Sequence, residues 1–331
     1  MTTFDLANEI MADALDVPAA GREEFVQRVC GEDLELRHEV TLLLDLYDAA
    51  GDLLDEPAVR PGRLAAGDLV AGRYRVLREL GCGGMGAVYV VEEPGVPGAL
   101  ALKTLAAQLR NDAEAMARFR AEFRAARGVS HPNVCPVFEL LETDGMPAFT
   151  MALLPGETLA ERMARGRLPM AEARAIARGV AAGLDALHAA GIVHHDLKPG
   201  NIVLADGVPV IMDFGLSATD WNCGPAGPET QRSAIEGSPD YMAPERFRNA
   251  AAGPAADIYA FGLILFEMAT GCRPFPVEDL LPAVLRRSME DAPRLSECGG
   301  PERWDQAIAR ALSRDPGARQ RSAGDVLSEM T

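Results

Sequence analysis

The sequence predicts an α+β fold with two lobes, preceded by a small helical leader. From Tyr74 onward, apolar and polar residues alternate in short runs that end at glycine and proline turns, which is the pattern of β-strands. The pair Pro155-Gly156 closes this region, and the chain beyond it has mainly helical periodicity. Residues 1–66 contain short segments in which apolar residues recur at helical spacing. We therefore expect a β-rich lobe and then a helical lobe after the leader.

The β-rich lobe is predicted to span residues 67–154 and to hold five strands and one helix. Three strands are joined by a glycine loop and a PGVPG turn, and two more follow the helix at residues 112–127. The predicted strands read YRVLREL, AVYVVEE, ALALKTL, VCPVFELLET and MPAFTMALL. The second lobe, residues 155–331, is predicted to be mainly helical, with short strands near 201–204 and 209–212.

The leader, residues 1–66, is predicted to contain helices over residues 5–15 and 34–47, with a short helix between them. Residues 55–67 (DEPAVRPGRLAAG) are rich in proline, glycine and small side chains, which predicts a domain boundary. The helices could dock on the lobes, mediate self-association or recruit a partner, and their amphipathic faces fit all three roles.

The charge of the chain argues against polyanion binding as its main role. The formal net charge is −17, and the leader alone carries 15 acidic and five basic side chains. Such a surface repels nucleic acid and anionic membranes, and no local cluster of Lys and Arg reverses this. We expect neither of them to be a partner.

Cysteine usage and hydropathy indicate a cytoplasmic protein. The six cysteines are widely spaced, show no paired metal-ligand spacing and follow no secretory signal, so we expect reduced thiols. The most apolar helical run, residues 259–270, is far shorter than the ~20 residues that cross a bilayer, and it contains Glu267. We expect a core helix there.

Residues 80–88 (LGCGGMGAV) form a G-x-G-x-x-G-x-V pattern at Gly81, Gly83, Gly86 and Val88. Glycine lets main-chain N–H groups approach phosphate oxygens closely. The pattern alone also fits an ordinary glycine-rich hairpin. A dinucleotide-binding loop would open a helix, whereas the residues after this loop alternate as a strand. The loop therefore joins two strands, and dinucleotide binding is disfavoured.

The chain contains 32 Lys and Arg residues, of which only Lys103 and Lys198 are lysine. A compact ammonium fits between phosphate oxygens and a carboxylate where the planar guanidinium is too wide. Lys103 lies in ALALKTL, the second strand after the glycine loop, and we expect it to pair with Glu122 in the following helix. Without the other motifs, Glu122 would be interpreted as an exposed ion-pairing residue.

The segment HHDLKPGN, residues 194–201, is the most specific in the sequence. Asp196 and Asn201 flank Lys198 on a loop, because a Pro-Gly pair breaks any helix. A carboxylate can accept a hydroxyl proton, an ammonium can stabilise a transferring phosphoryl group, and an amide oxygen can bind Mg²⁺. Asp213, after a short apolar strand, would supply a second oxygen donor. Each acid alone could be a turn residue, but the ordered set indicates phosphoryl transfer.

Together these motifs resemble those of bacterial (Hanks-type) serine/threonine protein kinases, over about residues 70–331. The matching positions, in order, are Gly81, Gly83, Gly86, Ala101, Leu102, Lys103, Glu122, His131, Pro132, Asn133, the whole of 194–201, Asp213, Phe214, Gly215, Ala243, Pro244, Glu245, Asp257 and Arg319. The resemblance implies a bilobal protein kinase fold, with a five-stranded N-lobe carrying helix αC, a mainly helical C-lobe and ATP between them. It also implies a structural pair between Glu245 and Arg319.

The resemblance implies roles for individual residues. Asp196 would take the proton of the acceptor hydroxyl, and Lys198 would stabilise the transferring phosphoryl group. Lys103 and Glu122 would form the ion pair of an active arrangement. Mg²⁺ would be held by Asn201 and Asp213, and ATP would contact Leu80, Gly81, Gly83, Gly86, Val88, Ala101, Lys103, Met151 and Leu153.

His195 departs from the family pattern, which usually has arginine before Asp196. That arginine grips a phosphorylated residue of the activation loop, whereas a histidine with a pKa near 6.5 is only roughly a quarter protonated at pH 7. We therefore expect activity that does not depend strictly on activation-loop phosphorylation. The candidate phosphosites are Thr230 and Ser233, and Ser238 stands where the family usually has a positioning threonine.

These expectations add up to a protein kinase that uses ATP and Mg²⁺ to phosphorylate Ser and Thr, including its own. The main alternative is a pseudokinase-like scaffold acting through the leader, which the loss of Lys103, Asp196 or Asp213 would have favoured; all three are present. A small-molecule phosphotransferase is disfavoured by the A-P-E motif at residues 243–245, which in protein kinases belongs to the segment that docks a peptide substrate.

Overall fold

The leader is helical at most of the positions that the computed structural model describes in it. The described residues are 19–31, 63–83, 86–105, 112–143, 146–213, 239–247, 253–275 and 290–330, with positions 6, 10, 11, 13, 14, 17, 33, 36–38, 40, 41, 44, 109, 286 and 287. Helix α1 spans Ala19–Cys30, and the described positions within 5–15 and 34–47 are helical, as predicted. A separate apolar cluster joins these helices through Ile10, Met11, Ala14, Val26, Cys30, Leu36, Val40 and Leu44.

The β-rich lobe is built on a six-stranded sheet in which all neighbouring strands are antiparallel. Its strands are β1 (Leu69–Val70), β2 (Tyr74–Gly83), β3 (Gly86–Glu92), β4 (Ala99–Leu105), β5 (Val137–Thr143) and β6 (Met146–Ala152), in the spatial order β1-β2-β3-β4-β6-β5. The five predicted strands are confirmed, but their number was one too few. Strand β1 pairs with the start of β2, and two residues are too few to show alternation.

The two faces of this sheet bury different sets of side chains. Side chains alternate between the faces of a strand, so Lys103 and Phe149, which pair across β4 and β6, share the inner face. Helix α2 (Ala113–Arg127) packs on that face, with the Phe119 ring centroid 5.1 Å from that of Phe149. Leu102 lies on the outer face in an apolar cluster of its own. The inner face, toward the second lobe, carries the candidate site.

The second lobe is mainly helical, as predicted. The helices whose bounds the structure describes are α3 (Leu159–Ala164), α4 (Met170–Ala189), α5 (Pro244–Phe247), α6 (Pro254–Thr270), α7 (Asp305–Ala311) and α8 (Ala323–Glu329). One-turn 3₁₀ helices cover Pro199–Asn201, Pro239–Tyr241, Ser296–Cys298, Glu302–Trp304 and Pro316–Ala318. A small antiparallel sheet contains β7 (Glu157–Thr158), β8 (Ile202–Ala205) and β9 (Val208–Ile211), and its last two strands confirm those predicted near 201–204 and 209–212.

Helix α6 is the buried centre of the second lobe. It begins at Pro254, where a missing N–H costs nothing, and it ends before Gly271, whose φ of 77° is readily adopted by glycine. Nearly every side chain between these ends is buried, because the segment is apolar on all sides. The expected core helix is confirmed, and its first turn places Asp257 beneath the candidate site.

The structure bears on the predicted absence of a membrane span and on the predicted reduced thiols. Among the described residues, no helix is long and apolar enough to cross a membrane. The described cysteines all carry free thiols, while Cys223 lies outside the described residues. These cysteines are Cys30, Cys82, Cys135, Cys272 and Cys298.

Candidate active site

The glycine loop is a hairpin between β2 and β3, as its sequence predicted. Gly83 pairs with Gly86, and residues 84–85 at its tip lie outside the described residues. Among the described residues, and apart from its two chain neighbours, no atom lies within 4 Å of a Cβ built at Gly81, so this part of the main chain leaves room for a ligand. Leu80 falls at a register shift in the β2–β3 pairing and is 43% exposed.

The residues expected to contact the nucleotide base lie on or next to the inner face of the sheet. Val88 pairs with Lys103 across β3 and β4, and Ala101 pairs with Met151 across β4 and β6. Ala101 and Met151 are buried, whereas Leu153 is half-buried just beyond the end of β6. The fold therefore gathers these predicted residues on one apolar surface next to Lys103.

Lys103 bridges the two lobes through Asp213. Its ammonium donates a hydrogen bond of 2.9 Å to Asp213 Oδ1 and lies 5.9 Å from the Phe149 ring centroid. Burial would raise the pKa of Asp213, but the adjacent Lys103 ammonium outweighs it and holds that pKa below its ordinary value. Asp213 is therefore ionised at neutral pH. The side chain of Glu122 lies outside the described residues, so its predicted pair with Lys103 stays a prediction.

The 194–201 loop brings Asp196, Lys198 and Asn201 within hydrogen-bond distance of one another. Lys198 Nζ donates to Asp196 Oδ2 at 2.7 Å. Asn201 Nδ2 donates to the main-chain oxygen of Asp196 at 2.8 Å and to Asp196 Oδ2 at 3.1 Å. These bonds use the amide nitrogen of Asn201, so its carbonyl oxygen can still act as a ligand. The Pro-Gly pair, predicted to break any helix, forms a single 3₁₀ turn.

Asp257 fixes this loop from below. Its carboxylate accepts hydrogen bonds from the N–H groups of His194 at 2.7 Å and His195 at 2.9 Å, and from His188 Nε2 at 2.8 Å. Burial of Asp257, 1% exposed, would raise its pKa, but the hydrogen bond from His188 and the other contacts lower it overall. An ionised carboxylate thus anchors two consecutive peptide groups.

His194 links the loop to the segment that leads into Asp213. Its Nδ1 accepts the N–H of Asp196 at 3.3 Å, and its Nε2 lies 3.0 Å from the carbonyl oxygen of Met212. A carbonyl can only accept, so the Nε2–H tautomer is the one that fits. Burial lowers the pKa of His194 and keeps the ring neutral at pH 7.

The A-P-E segment is tied to the core by the predicted pair of Glu245 and Arg319, which is confirmed. Arg319 donates to both carboxylate oxygens of Glu245, at 2.6 and 2.8 Å, and to the carbonyl oxygen of Ala255 at 2.8 Å. The next residue, Arg246, donates to the main-chain oxygen of His195. Residues 240–246 are thereby connected both to α6 and to the 194–201 loop.

Residues 74–327 match the protein kinase domain family. The chain belongs to this family. The match confirms the predicted kinase fold.

Several bacterial kinases are similar to this chain. Serine/threonine-protein kinase PknD of Mycobacterium tuberculosis is 35% identical over 260 residues, and PrkC of Bacillus subtilis is 32% identical over 272 residues. The alignments cover 77% and 80% of this chain but only 39% and 41% of those relatives, so the chain spans about two fifths of their length. A crystal structure of the M. tuberculosis PknI kinase domain matches with a TM-score of 0.64 at 31% identity, covering 81% of this chain and 98% of that one. The predicted resemblance to bacterial serine/threonine kinases is confirmed.

The donor set of this kinase-family site suits magnesium. Mg²⁺ prefers oxygen ligands and is usually held by one or two carboxylates together with substrate phosphates. Asp213 offers an ionised carboxylate and Asn201 an amide oxygen. Among the described residues, no three His, Cys, Asp or Glu side chains form a metal-binding group of their own. A site of this kind is therefore suited to a metal that arrives with phosphate.

Sequence reasoning missed the contribution of four residues at or next to this kinase-family site. Asp257 was matched to the family pattern but given no role, and His188 and Arg246 carried no signal. His188 and Asp257 are separated by 69 positions, so no local pattern could have paired them. Cys135 was also missed: its thiol lies 3.7 Å from the Ala152 oxygen, and burial raises its pKa to about 12. The predicted regulatory hydroxyls Thr230, Ser233 and Ser238 lie outside the described residues.

Proposed function

We propose that the chain is a serine/threonine protein kinase, which transfers the γ-phosphoryl group of Mg²⁺–ATP to Ser and Thr hydroxyls of proteins, including its own. The observation that carries this proposal is the convergence of Asp196, Lys198 and Asn201 on one loop opposite Lys103 and Asp213. The relatives named as serine/threonine kinases support the acceptor class.

The residues of the 194–201 loop would divide the chemistry. Asp196 orients the acceptor hydroxyl and takes its proton, because a carboxylate can accept a hydroxyl proton. Lys198, already 2.7 Å from Asp196, stabilises charge on the phosphoryl group as it moves. Asn201 and Asp213 would hold Mg²⁺, which neutralises phosphate charge when bound.

The β-rich lobe would bind the nucleotide. Gly81, Gly83 and Gly86 present main-chain N–H groups to the phosphates. Lys103 contacts phosphate oxygens, with Glu122 as its proposed partner. The base packs among Leu80, Val88, Ala101, Met151 and Leu153.

The experiment that tests the function is phosphosite mass spectrometry of the full chain after incubation with Mg²⁺–ATP, comparing wild type with Asp196→Asn. Phosphoserine or phosphothreonine should accumulate in the wild type, and Asp196→Asn should slow transfer about 10²–10⁴-fold because it removes the base. Thermal unfolding with and without Mg²⁺–ATP checks that the variant still folds and binds nucleotide.

The same experiment separates the alternatives. A pseudokinase-like scaffold would at most bind nucleotide, so absence of transfer by the wild type would contradict the proposal. Equal transfer by wild type and Asp196→Asn would contradict the role of Asp196. A small-molecule phosphotransferase would leave the chain and added proteins unmodified while consuming ATP in the presence of its acceptor.

We further propose that His195 weakens the dependence of activity on phosphorylation of the activation loop. A neutral histidine offers a phosphate a single N–H donor, and even a protonated one offers only one donor per nitrogen, whereas arginine offers a charged fork. The double variant Thr230→Ala/Ser233→Ala should keep most of the wild-type turnover. A control variant, His195→Arg, should make turnover more sensitive to the same double change, and a fall of several orders of magnitude in the wild-type background would contradict the idea.

We assign the leader to residues 1–66, the N-lobe to 67–154 and the C-lobe to 155–331. A cytoplasmic location is supported by the free thiols of the described cysteines. The leader's helices pack around an apolar cluster of their own, and we propose that this leader mediates self-association or partner docking.

A further inference from the structure

The main-chain carbonyl of His195 accepts a hydrogen bond from the guanidinium of Arg246, which lies 51 positions further along the chain in α5. The N–H of the same residue donates to Asp257 Oδ1 at 2.9 Å. Both main-chain groups of His195 are therefore held by charged side chains from other elements. Such bonds are shorter and stronger than those between neutral groups.

The backbone of His195 explains why this anchoring matters. Its φ is 64°, in the left-handed region that non-glycine residues rarely adopt. A residue stays in that region only when its surroundings over-determine it. The carbonyl that Arg246 holds belongs to the peptide bond leading into Asp196, so rotation of that peptide would move the Asp196 carboxylate.

The segment that carries Arg246 is held in place by buried arginine side chains. Its neighbour Glu245 is bound by both terminal nitrogens of Arg319, whose side chain is fully buried. Just before α5, the carbonyl oxygen of Met242 accepts a hydrogen bond of 3.2 Å from the buried Arg287. Contacts with the core thus fix the position of the 240–246 segment. The hydrogen bond from Arg246 to the His195 carbonyl then connects this segment to the 194–201 loop.

We propose that Arg246 is a positioning residue for phosphoryl transfer, which fixes the His195–Asp196 peptide so that the Asp196 carboxylate points at the acceptor hydroxyl. The inference rests on the proposed kinase function. Arginine suits the role because its guanidinium is always charged and carries donors in a fixed geometry. It also couples the segment expected to dock the protein substrate to the residue expected to take its proton.

The test compares full-length Arg246→Gln and Arg246→Lys with the matched control Arg303→Gln, an exposed arginine of the same lobe. Steady-state kinetics with Mg²⁺–ATP and dephosphorylated casein give kcat and KM. We expect Arg246→Gln to lower kcat about 10²-fold, the effect of a small misplacement of a reacting group, with KM for casein and the Kd of Mg²⁺–ATP unchanged. Lysine can donate one charged hydrogen bond, so Arg246→Lys should recover part of the loss.

Hydrogen exchange supplies a readout that does not depend on catalysis. Amide protons of residues 194–197 should exchange faster in Arg246→Gln than in wild type, while those of Arg303→Gln should match the wild type. If Arg246→Gln is too unstable to assay, the same comparison with Arg246→Lys decides the question.

Several results would overturn the inference. These are an unchanged kcat, a raised KM for casein at constant kcat, which means direct substrate contact, or a loss of kcat that merely follows the unfolded fraction. Transfer by the wild type with an unaffected Arg246→Gln would remove this inference alone. Absence of transfer by the wild type, to casein and to itself, would remove the proposed function with it.

Discussion

The two walls of the site are held in different ways. The lower wall, the 194–201 loop, is tied to the core by hydrogen bonds through Asp257 and His194. The upper wall, the hairpin of β2 and β3, is held mainly by strand pairing, and Lys103 on the neighbouring strand β4 contacts Asp213, which follows β9, at 2.9 Å. The groups proposed for proton and phosphoryl chemistry are therefore preorganised by hydrogen bonds to the core, whereas those proposed to cover the nucleotide have fewer such bonds and can adjust to it.

The largest effect is expected from Asp257→Ala in the lower wall. It leaves the N–H groups of His194 and His195 and the Nε2–H of His188 without their acceptor, at about 1–3 kcal/mol for each buried donor. The free energy of unfolding, measured by urea denaturation, should fall by about 3 kcal/mol or more.

The control for Asp257→Ala is Asp291→Ala. Asp291 pairs with Arg314 at 3.1 Å, but its side chain is 84% exposed, and a surface pair of this kind contributes about 0–1 kcal/mol. Equal losses of stability in the two variants would show that the lower wall does not depend on the buried carboxylate.

An intermediate effect is expected from the pH dependence that His194 gives the lower wall. Burial depresses its folded pKa below the unfolded value near 6.5, so the unfolded state binds the extra proton. The stability His194 contributes is therefore complete above pH 6.5 and is lost as pH falls toward the folded pKa, by up to about 1.4 kcal/mol per pH unit. Denaturation of wild type and His194→Gln between pH 5 and pH 8, roughly the range in which histidine titrates, measures the difference; parallel curves would refute it.

The smallest effect on stability is expected in the upper wall, from Gly81→Ala. The new methyl group meets no atom within 4 Å in the part of the chain that the structure describes, its two chain neighbours aside, so the free energy of unfolding should stay within about 0.5 kcal/mol of the wild type. The methyl group would instead crowd the phosphates, and calorimetry should show Mg²⁺–ATP binding weakened about tenfold. Unchanged affinity would mean that this glycine does not face the nucleotide, and a large loss of stability would erase the contrast between the walls.

The features that could be predicted from the sequence are those with a local residue pattern. The alternation of β2 to β6, the glycine hairpin and the HHDLKPGN loop each lie within a dozen residues, so their chemistry could be inferred without a structure. It missed β1, which is two residues long, and it missed the anchors of the loop. His188 with Asp257, and Arg246 with His195, are brought together only by packing of the second lobe. Such contacts depend on tertiary geometry and leave no periodicity to find.

The scarcity of lysine has a practical consequence. Apart from the terminal amine, Lys103 and Lys198 carry the only alkyl amines of the chain, and each lies beside a carboxylate of the site, at 2.9 and 2.7 Å. An acylating reagent that modifies amines would therefore report on the site with almost no background from the surface. Because the other basic side chains are arginines, reduced labelling of these two lysines would report that a ligand occupies the site.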